Sequence, residues 1–523
     1  MNETSGANKS YWVESTEPMI YDRLQGDAHA DAAIVGAGIA GLTVGAELAR
    51  RGHKVIIIDD GFVGSGESGR TTAHLSNALD DRYYYLEGMV GEDGAKALAE
   101  SHTAAIDYIE RNVRELGIEC DFVRLPGYLF LHRSDTRETL DKELASTQKL
   151  GLRTTMKKRV PGIEIESGDY IEFPNQATFH PMKYYRGLAK FITDKGGKIY
   201  TETRAEDITK DGVTLQGGGV IHADHYVVAT NTPVNNRFVI HTKQAPYRTY
   251  VIAAYVPKGS LPTALWWDTG DHNTPWTNYP YHYVRLQEFD KQNDLLIIGG
   301  EDHKTGQPME EDLPENARYL ELEKWARKRF PMMGEIVHTW SGQVQEPVDG
   351  VAFIGKNPGD ENIYVVTGDS GNGMTHCSIA GMLIPDLIEN KENPWAKVYD
   401  PDRVTASAAM DFIKEQVNVA KQFGDYFTGS EINNYKELLK GEGAIVRSGL
   451  TKVAVYRDED GTLRAYTAIC PHLKCVVQWN RTEKTFDCPC HGSRFTSSGK
   501  MLNGPAISDL EPVDIPDLPG KDG

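Results

Sequence analysis

Two short loops near the C-terminus constrain this chain more than any other stretch. They read Cys470-Pro-His472-Leu-Lys-Cys475 and Cys488-Pro-Cys490-His491-Gly492-Ser493-Arg494-Phe495. A Cys-x-His pair and a Cys-x-x-His pair at this separation can hold a [2Fe-2S] cluster, with two thiolates on one iron and two neutral imidazoles on the other. Zinc is the competing ligand chemistry, but zinc sites favour Cys-x-x-Cys or His-x₃₋₅-His spacings, and neither occurs in these loops. A further cysteine stands in each loop, Cys475 and Cys490.

This stretch resembles the Rieske proteins of respiratory and photosynthetic electron-transfer complexes more than the ferredoxins of ring-hydroxylating oxygenases. The resemblance implies that Cys470 and Cys488 bind a buried iron and that His472 and His491 bind an exposed one. It implies a disulfide between Cys475 and Cys490 that ties the loops together. Ser493 matches the residue whose hydroxyl bonds a cluster sulfide, and such bonds raise the reduction potential. Phe495 stands where the family usually has Tyr, so a second hydroxyl is missing.

The other strong signal lies near the N-terminus. Asp31-Ala-Ala-Ile-Val-Gly36-Ala-Gly38-Ile39-Ala40-Gly41 opens a helical run to Gly52, followed by Val55-Ile-Ile-Ile-Asp59-Asp60. Strand, glycine-rich turn, helix and strand form a dinucleotide-binding unit: the turn lets a pyrophosphate approach the helix N-terminus. Asp59 ends the second strand, where a carboxylate accepts bonds from a ribose, with Asp60 the neighbouring alternative. The next segment, with Arg70-Thr71-Thr72-Ala-His74, reads as a polar loop. A second glycine-rich turn follows a strand at Ile363–Thr367: Gly368-Asp-Ser-Gly371-Asn-Gly373-Met374-Thr375, then a helical run to Ile388. A helix N-terminus there can stabilise negative charge on a reduced flavin ring.

Together with Phe179-His180-Pro181, the strand at Tyr226–Thr230, Trp340-Ser-Gly342, Asp349-Gly350 and Ile354-Gly355, these turns resemble the D-amino-acid-oxidase superfamily of flavoproteins, which includes glycine and sarcosine oxidases. The resemblance covers about residues 30–390 and implies FAD. The order flavoprotein, linker, Rieske domain resembles a bacterial family of fused FAD-dependent oxidoreductases and spans nearly the whole chain.

A length of 523 residues suggests roughly three domains. The expected architecture is an α/β FAD-binding (Rossmann-like) domain with a mixed-sheet substrate domain, plus a small all-β Rieske domain. FAD-binding parts are expected at about 30–90, 180–240 and 340–390, and substrate-domain parts at about 91–179 and 241–339, all within an oxidoreductase unit of 1–390. Gly94–Leu116 has helical periodicity, and Tyr247–Val256 and Leu295–Gly300 read as strands. Residues 391–428 are the expected linker, with an amphipathic helix from Val404 to Gln422 packed beneath Trp395, Phe412 and Phe423. In the Rieske unit, 429–523, Ala444–Arg447, Val453–Arg457 and Leu463–Ile469 alternate as strands, and Gly504-Pro505 resembles the family's proline loop.

Lys plus Arg number 56 and Asp plus Glu 75, a net charge of −19 that argues against nucleic acid and anionic membranes as partners. Residues 1–10 are polar, and no apolar run approaches a membrane span, so a cytoplasmic location is expected.

A flavin takes two electrons and a Rieske cluster one, so the pairing reads as a two-to-one electron transformer. The leading expectation is a dehydrogenase that oxidises a C–N or related bond of a small molecule, with an external one-electron protein or quinone as acceptor. Alternatives are a reductase running from cluster to flavin, and an electron-transfer or sensor module. In glycine-oxidase-like members an Arg four positions after the Trp of Trp-x-Gly clamps the substrate carboxylate. Here that position is Val344, between Gln343 and Gln345. Arg248 or Arg285 could substitute, and an amine without a carboxylate stays open. Tyr281 and His74 complete the catalytic candidates. Tyr281 lies in the aromatic run Tyr279–Arg285, which suits either a substrate pocket or a packed sheet face. His74 has three possible roles: covalent attachment of FAD, a polar contact to flavin or substrate, or a structural part.

Overall fold

The computed structural model describes residues 5–165, 168–234, 240–273, 280–307, 316–405, 438–448 and 451–514, with residues 418, 419, 422, 432 and 435. Most of the expected helix Val404–Gln422, Phe412, Phe423 and Tyr279 lie outside them.

Ala28–Val35 ends in the apolar run Ala-Ala-Ile-Val and occupies the middle of an eight-stranded sheet. Such a strand is buried on both faces when its neighbours are parallel. It pairs in parallel with Val55–Ile58 on one side and Val220–Val228 on the other. Ile363–Thr367 and Lys198–Tyr200 extend the parallel core outward. The helices Ile39–Arg50 and Gly373–Ile388 pack on each other over this sheet, so both glycine-rich turns open at the same end of it.

A second sheet of nine strands faces that end, in the order Ile336–Pro347, Gln244–Pro257, Asn293–Lys304, Tyr283–Glu288, Leu265–Asp268, Val123–Phe130, Asp169–Thr178 and His74–Leu75, with Thr155–Lys158 beside Asp169–Thr178. It is mixed: Leu265–Asp268 runs parallel to Val123–Phe130, and the other pairings are antiparallel. Two segments that lie largely within the expected FAD-binding parts are strands of this sheet. Ile336–Pro347 pairs with Gln244–Pro257 along its length, and His74–Leu75 pairs with Ala177 and Thr178. The helix expected from Gly94 begins at Tyr83, because Gly91, at φ 75°, joins two helical pieces across a kink.

The C-terminal region is all-β. A three-stranded sheet, Gly443–Ser448, Thr451–Arg457 and Leu463–Thr467, packs with a four-stranded sheet, Gln478–Asn480, Thr485–Asp487, Arg494–Thr496 and Met501–Asn503. Ile445, Tyr466, Phe486 and Phe495 form one apolar core with Cys470 and Cys488. Among the described residues, no helix is long and apolar enough to cross a membrane.

Candidate active site and cluster site

A cavity of about 730 Å³ opens between the ends of the parallel strands and the second sheet. This is the place where open α/β sheets bind nucleotides. It is lined by Gly36, Gly38, Ile39, Ala40, Asp59, Asp60, Arg70, Thr71, Thr72 and His74 from the first half of the chain, by Tyr281 from the second sheet, and by Gly371, Gly373 and Met374 from the second turn. Gly36 has φ 110°, and a Cβ there would lie 2.3 Å from the Ala229 carbonyl. The glycine therefore serves strand packing as well as cofactor access. The Asp59 carboxylate accepts from Ala37 N at 2.6 Å and Gly61 N at 2.9 Å, while burial and the adjacent Asp60 push it up to about 7. The backbone amides at the start of helix Ile39–Arg50 and the pair Asp59 and Asp60 fit the pyrophosphate and ribose of FAD.

Three residues predicted to touch the cofactor do not line the cavity. Gly41 packs beneath the Gly36 carbonyl, Gly368 backs onto Pro347, and the Thr375 hydroxyl pairs with His102 Nδ1 at 2.8 Å. Periodicity places a turn, but not which of its residues faces inward. Arg70 lines the cavity, yet its guanidinium turns away to donate to the Ser341 and Asn8 carbonyls.

Both candidate carboxylate clamps also lie off the cavity lining. Arg285 is fully buried and donates to the carbonyls of Ala73 and Phe179 at 2.9 and 3.0 Å, with its guanidinium over the Trp12 ring. Arg248 is fully buried too and donates to Ser341 Oγ at 2.7 Å on the side facing the C-terminal domain. Tyr281 hydrogen-bonds Asp80 inside the cavity. His74 Nδ1 lies 3.0 Å from Thr72 Oγ1 and Nε2 3.2 Å from the Val284 carbonyl. Burial, helped by Arg285, lowers its pKa to about 3, so the ring is neutral and donates from Nε2.

Sequence reading missed several of the cavity's carboxylates, among them Asp80, Asp302, Glu346 and Asp369. Burial raises all four: Asp80 to about 7, Asp302 and Asp369 to about 6, and Glu346 well above its usual range. Strand alternation holds the signal for Glu346, which sits two residues beyond Val344 and so on the same face.

In the C-terminal domain, Cys470 and Cys488 hydrogen-bond each other, and the rings of His472 and His491 lie 5.0 Å apart. Cys475 and Cys490 form a disulfide, which removes them as ligands. His491 Nδ1 is buried without a hydrogen-bond partner among the described residues, which fits a nitrogen that binds iron. Ser493 Oγ accepts from Ala506 N at 3.0 Å and bonds the Cys470 sulfur. The residues fit a [2Fe-2S] cluster.

The implied exposure of the histidine side holds only in part: His472 is half-buried, while His491 is buried. His491 is 5% exposed, and His241 of the flavoprotein part covers both ligands, its ring 5.2 Å from His472 and 6.5 Å from His491. A buried ionic network docks the domain on the flavoprotein part. Glu483 meets Arg70 at 3.2 Å and accepts from Ser341 Oγ, and Asp487 meets Arg494 at 3.2 Å and Arg248 at 3.8 Å. Arg494 also donates to the Ser5 carbonyl at 2.6 Å, so the N-terminal segment is clamped in the same seam. Met501, Leu502, Asn503, Gly504 and Ile507 line the large cavity itself, which therefore has walls from both parts.

Residues 31–387 match the family model described as FAD dependent oxidoreductase (DAO). The chain belongs to this family. Residues 430–514 match the Rieske [2Fe-2S] domain. A Bacillus subtilis (strain 168) protein named for a Rieske 2Fe-2S iron-sulfur centre, YhfW, is 31% identical over 97% of this chain and 98% of its own length. The gamma-glutamylputrescine oxidoreductase of Escherichia coli (strain K12) is 25% identical over 72% of this chain and 88% of its own. Among solved structures, glycine oxidase from Geobacillus kaustophilus superposes with TM-score 0.58 at 20% identity, covering 72% of this chain and 100% of that one. The protein is thus an FAD-dependent oxidoreductase of the DAO family carrying a C-terminal Rieske domain, with FAD and a [2Fe-2S] cluster as its cofactors.

Proposed function

We propose that this enzyme dehydrogenates a small amine that carries no carboxylate beside the reacting carbon, and that its electrons leave singly through the cluster to an external protein or quinone. The observation that carries the substrate class is the charge of the cavity. Asp80, Asp302, Glu346 and Asp369 line it, and each arginine among its described residues is already engaged. Arg70 is held as above, Arg82 donates to the carbonyls of Leu79 and Asp268, and Arg204 binds Asp509 and the Ile507 carbonyl. A substrate carboxylate would enter unpaired among acids, whereas an ammonium would hold the raised carboxylates in their ionised form. The relative that acts on gamma-glutamylputrescine supports an amine.

When bound, FAD supplies hydride acceptance and the cluster one-electron transfer. The protein's own part begins at Asp80, whose carboxyl, raised to about 7 and bonded to Tyr281, suits a proton acceptor near neutral pH. His74, fixed as a neutral donor by Thr72 and Val284, keeps its loop against the cavity without adding charge. Cys470, His472, Cys488 and His491 would hold the cluster, and the Cys475–Cys490 disulfide ties their loops.

Anaerobic addition of an amine panel and an amino-acid panel, with flavin absorbance and the cluster's EPR signal as readouts, tests this. Amines should bleach the flavin and then reduce the cluster. Bleaching by amino acids alone overturns the substrate class. Reduction of the flavin only when electrons are supplied at the cluster overturns the direction.

A further inference from the structure

Gln343 stands where the two cofactor sites meet. Its strand forms one edge of the second sheet, and Gly342, Gln343 and Val344 line the cavity. Its side chain is 2% exposed, and Nε2 donates to the Gly492 carbonyl at 2.9 Å, one residue beyond His491. The approach is close: a Cβ on Gly492 would lie 2.9 Å from that nitrogen and 2.6 Å from Pro246. Because a carbonyl can only accept, this contact fixes which end of the amide is nitrogen. The other end, Oε1, is buried and has no hydrogen-bond partner among the described residues.

We propose that the Gln343 amide is a positioning bridge between the FAD site and the cluster loop. Its main chain, between Gly342 and Val344, lines the cavity that fits FAD. Its nitrogen holds the Gly492 carbonyl, and with it the backbone of His491. One residue then sets the spacing between the cavity and the cluster loop. This rests on transfer between FAD and cluster, but not on the substrate class or the direction proposed above.

The test uses the full-length holoenzyme with Gln343→Leu and Gln343→Glu. Flavin is reduced by light with EDTA, so no amine substrate is needed, and cluster reduction is followed by absorbance and EPR. Flavin content, iron content and both midpoint potentials are measured alongside. Glu keeps the length but as a carboxylate cannot donate to the Gly492 carbonyl, and Leu removes the polar group altogether. Both variants should shift the cluster's EPR lines and slow cluster reduction by roughly tenfold or more, the scale of effect a small misplacement produces. If Leu also loses flavin, Glu alone decides. Unchanged EPR lines and an unchanged rate in Gln343→Glu, with both cofactors present, overturn the proposal. Failure of every amine while the light-driven transfer still depends on Gln343 would overturn only the substrate class.

Discussion

Glu483→Gln should release the Rieske domain from its seat while leaving each domain's own core intact. Glu483 is fully buried in its side chain, 3.2 Å from Arg70 Nη1, and also accepts from Ser341 Oγ. Burial alone would raise its carboxyl, but Arg70, Arg248 and Arg494 outweigh that and hold it below the usual range. Removing its charge leaves three buried cations facing Asp487 and Glu67, and breaking a buried ion pair from one side costs about 3–5 kcal/mol. The loss should appear in urea titrations followed by the cluster's visible circular dichroism and by flavin fluorescence, with the cluster transition separating from the flavin transition. Added salt should change the wild-type value little, since buried pairs are weakly screened. The pH dependence has a definite sign. A carboxyl whose folded pKa is depressed contributes stability that is present above its unfolded value, about 4.3, and is lost as pH falls through the folded value. The gap between wild type and Glu483→Gln should therefore be full at pH 7 and close in acid. A loss under about 1 kcal/mol, the size of an exposed pair, would refute the reasoning and mean that water reaches the seam.

Gly38→Val should abolish FAD binding, because the branched side chain would occupy the space at the start of helix Ile39–Arg50 that a pyrophosphate needs; full yellow flavin in the purified variant would place the site elsewhere, and the cluster's spectrum should survive. Ser493→Ala should lower the cluster potential by roughly 60 mV, if the bond contributes about 1.4 kcal/mol more to the reduced state, as read by protein-film voltammetry of the intact enzyme. Acid precipitation should release all flavin into the supernatant, since both ring nitrogens of His74 are occupied by Thr72 and Val284; flavin retained in the pellet would contradict this.

What the sequence determined by itself is the chemistry carried by short-range spacing. The ligand loops at Cys470–Cys475 and Cys488–Phe495, the turn at Gly36–Gly41, and the turn before helix Gly373–Ile388 depend on neighbours within a few residues. Their residue types announce themselves without a partner. What only the tertiary structure decided is which charged groups face one another. Arg70 and Glu483 are 413 positions apart, and Ser5 and Arg494 are 489 apart. In a strand, Arg248 and Arg285 look like cations available to a substrate, because alternation gives a side chain's face but not what lies across it. The fold turns Arg285 toward backbone carbonyls and Arg248 toward Asp487, and it gathers Asp80, Asp302, Glu346 and Asp369 from separate segments into one cavity. Burial then shifts those carboxyls, and burial is a property of the assembled chain, since it depends on every element packed around the site.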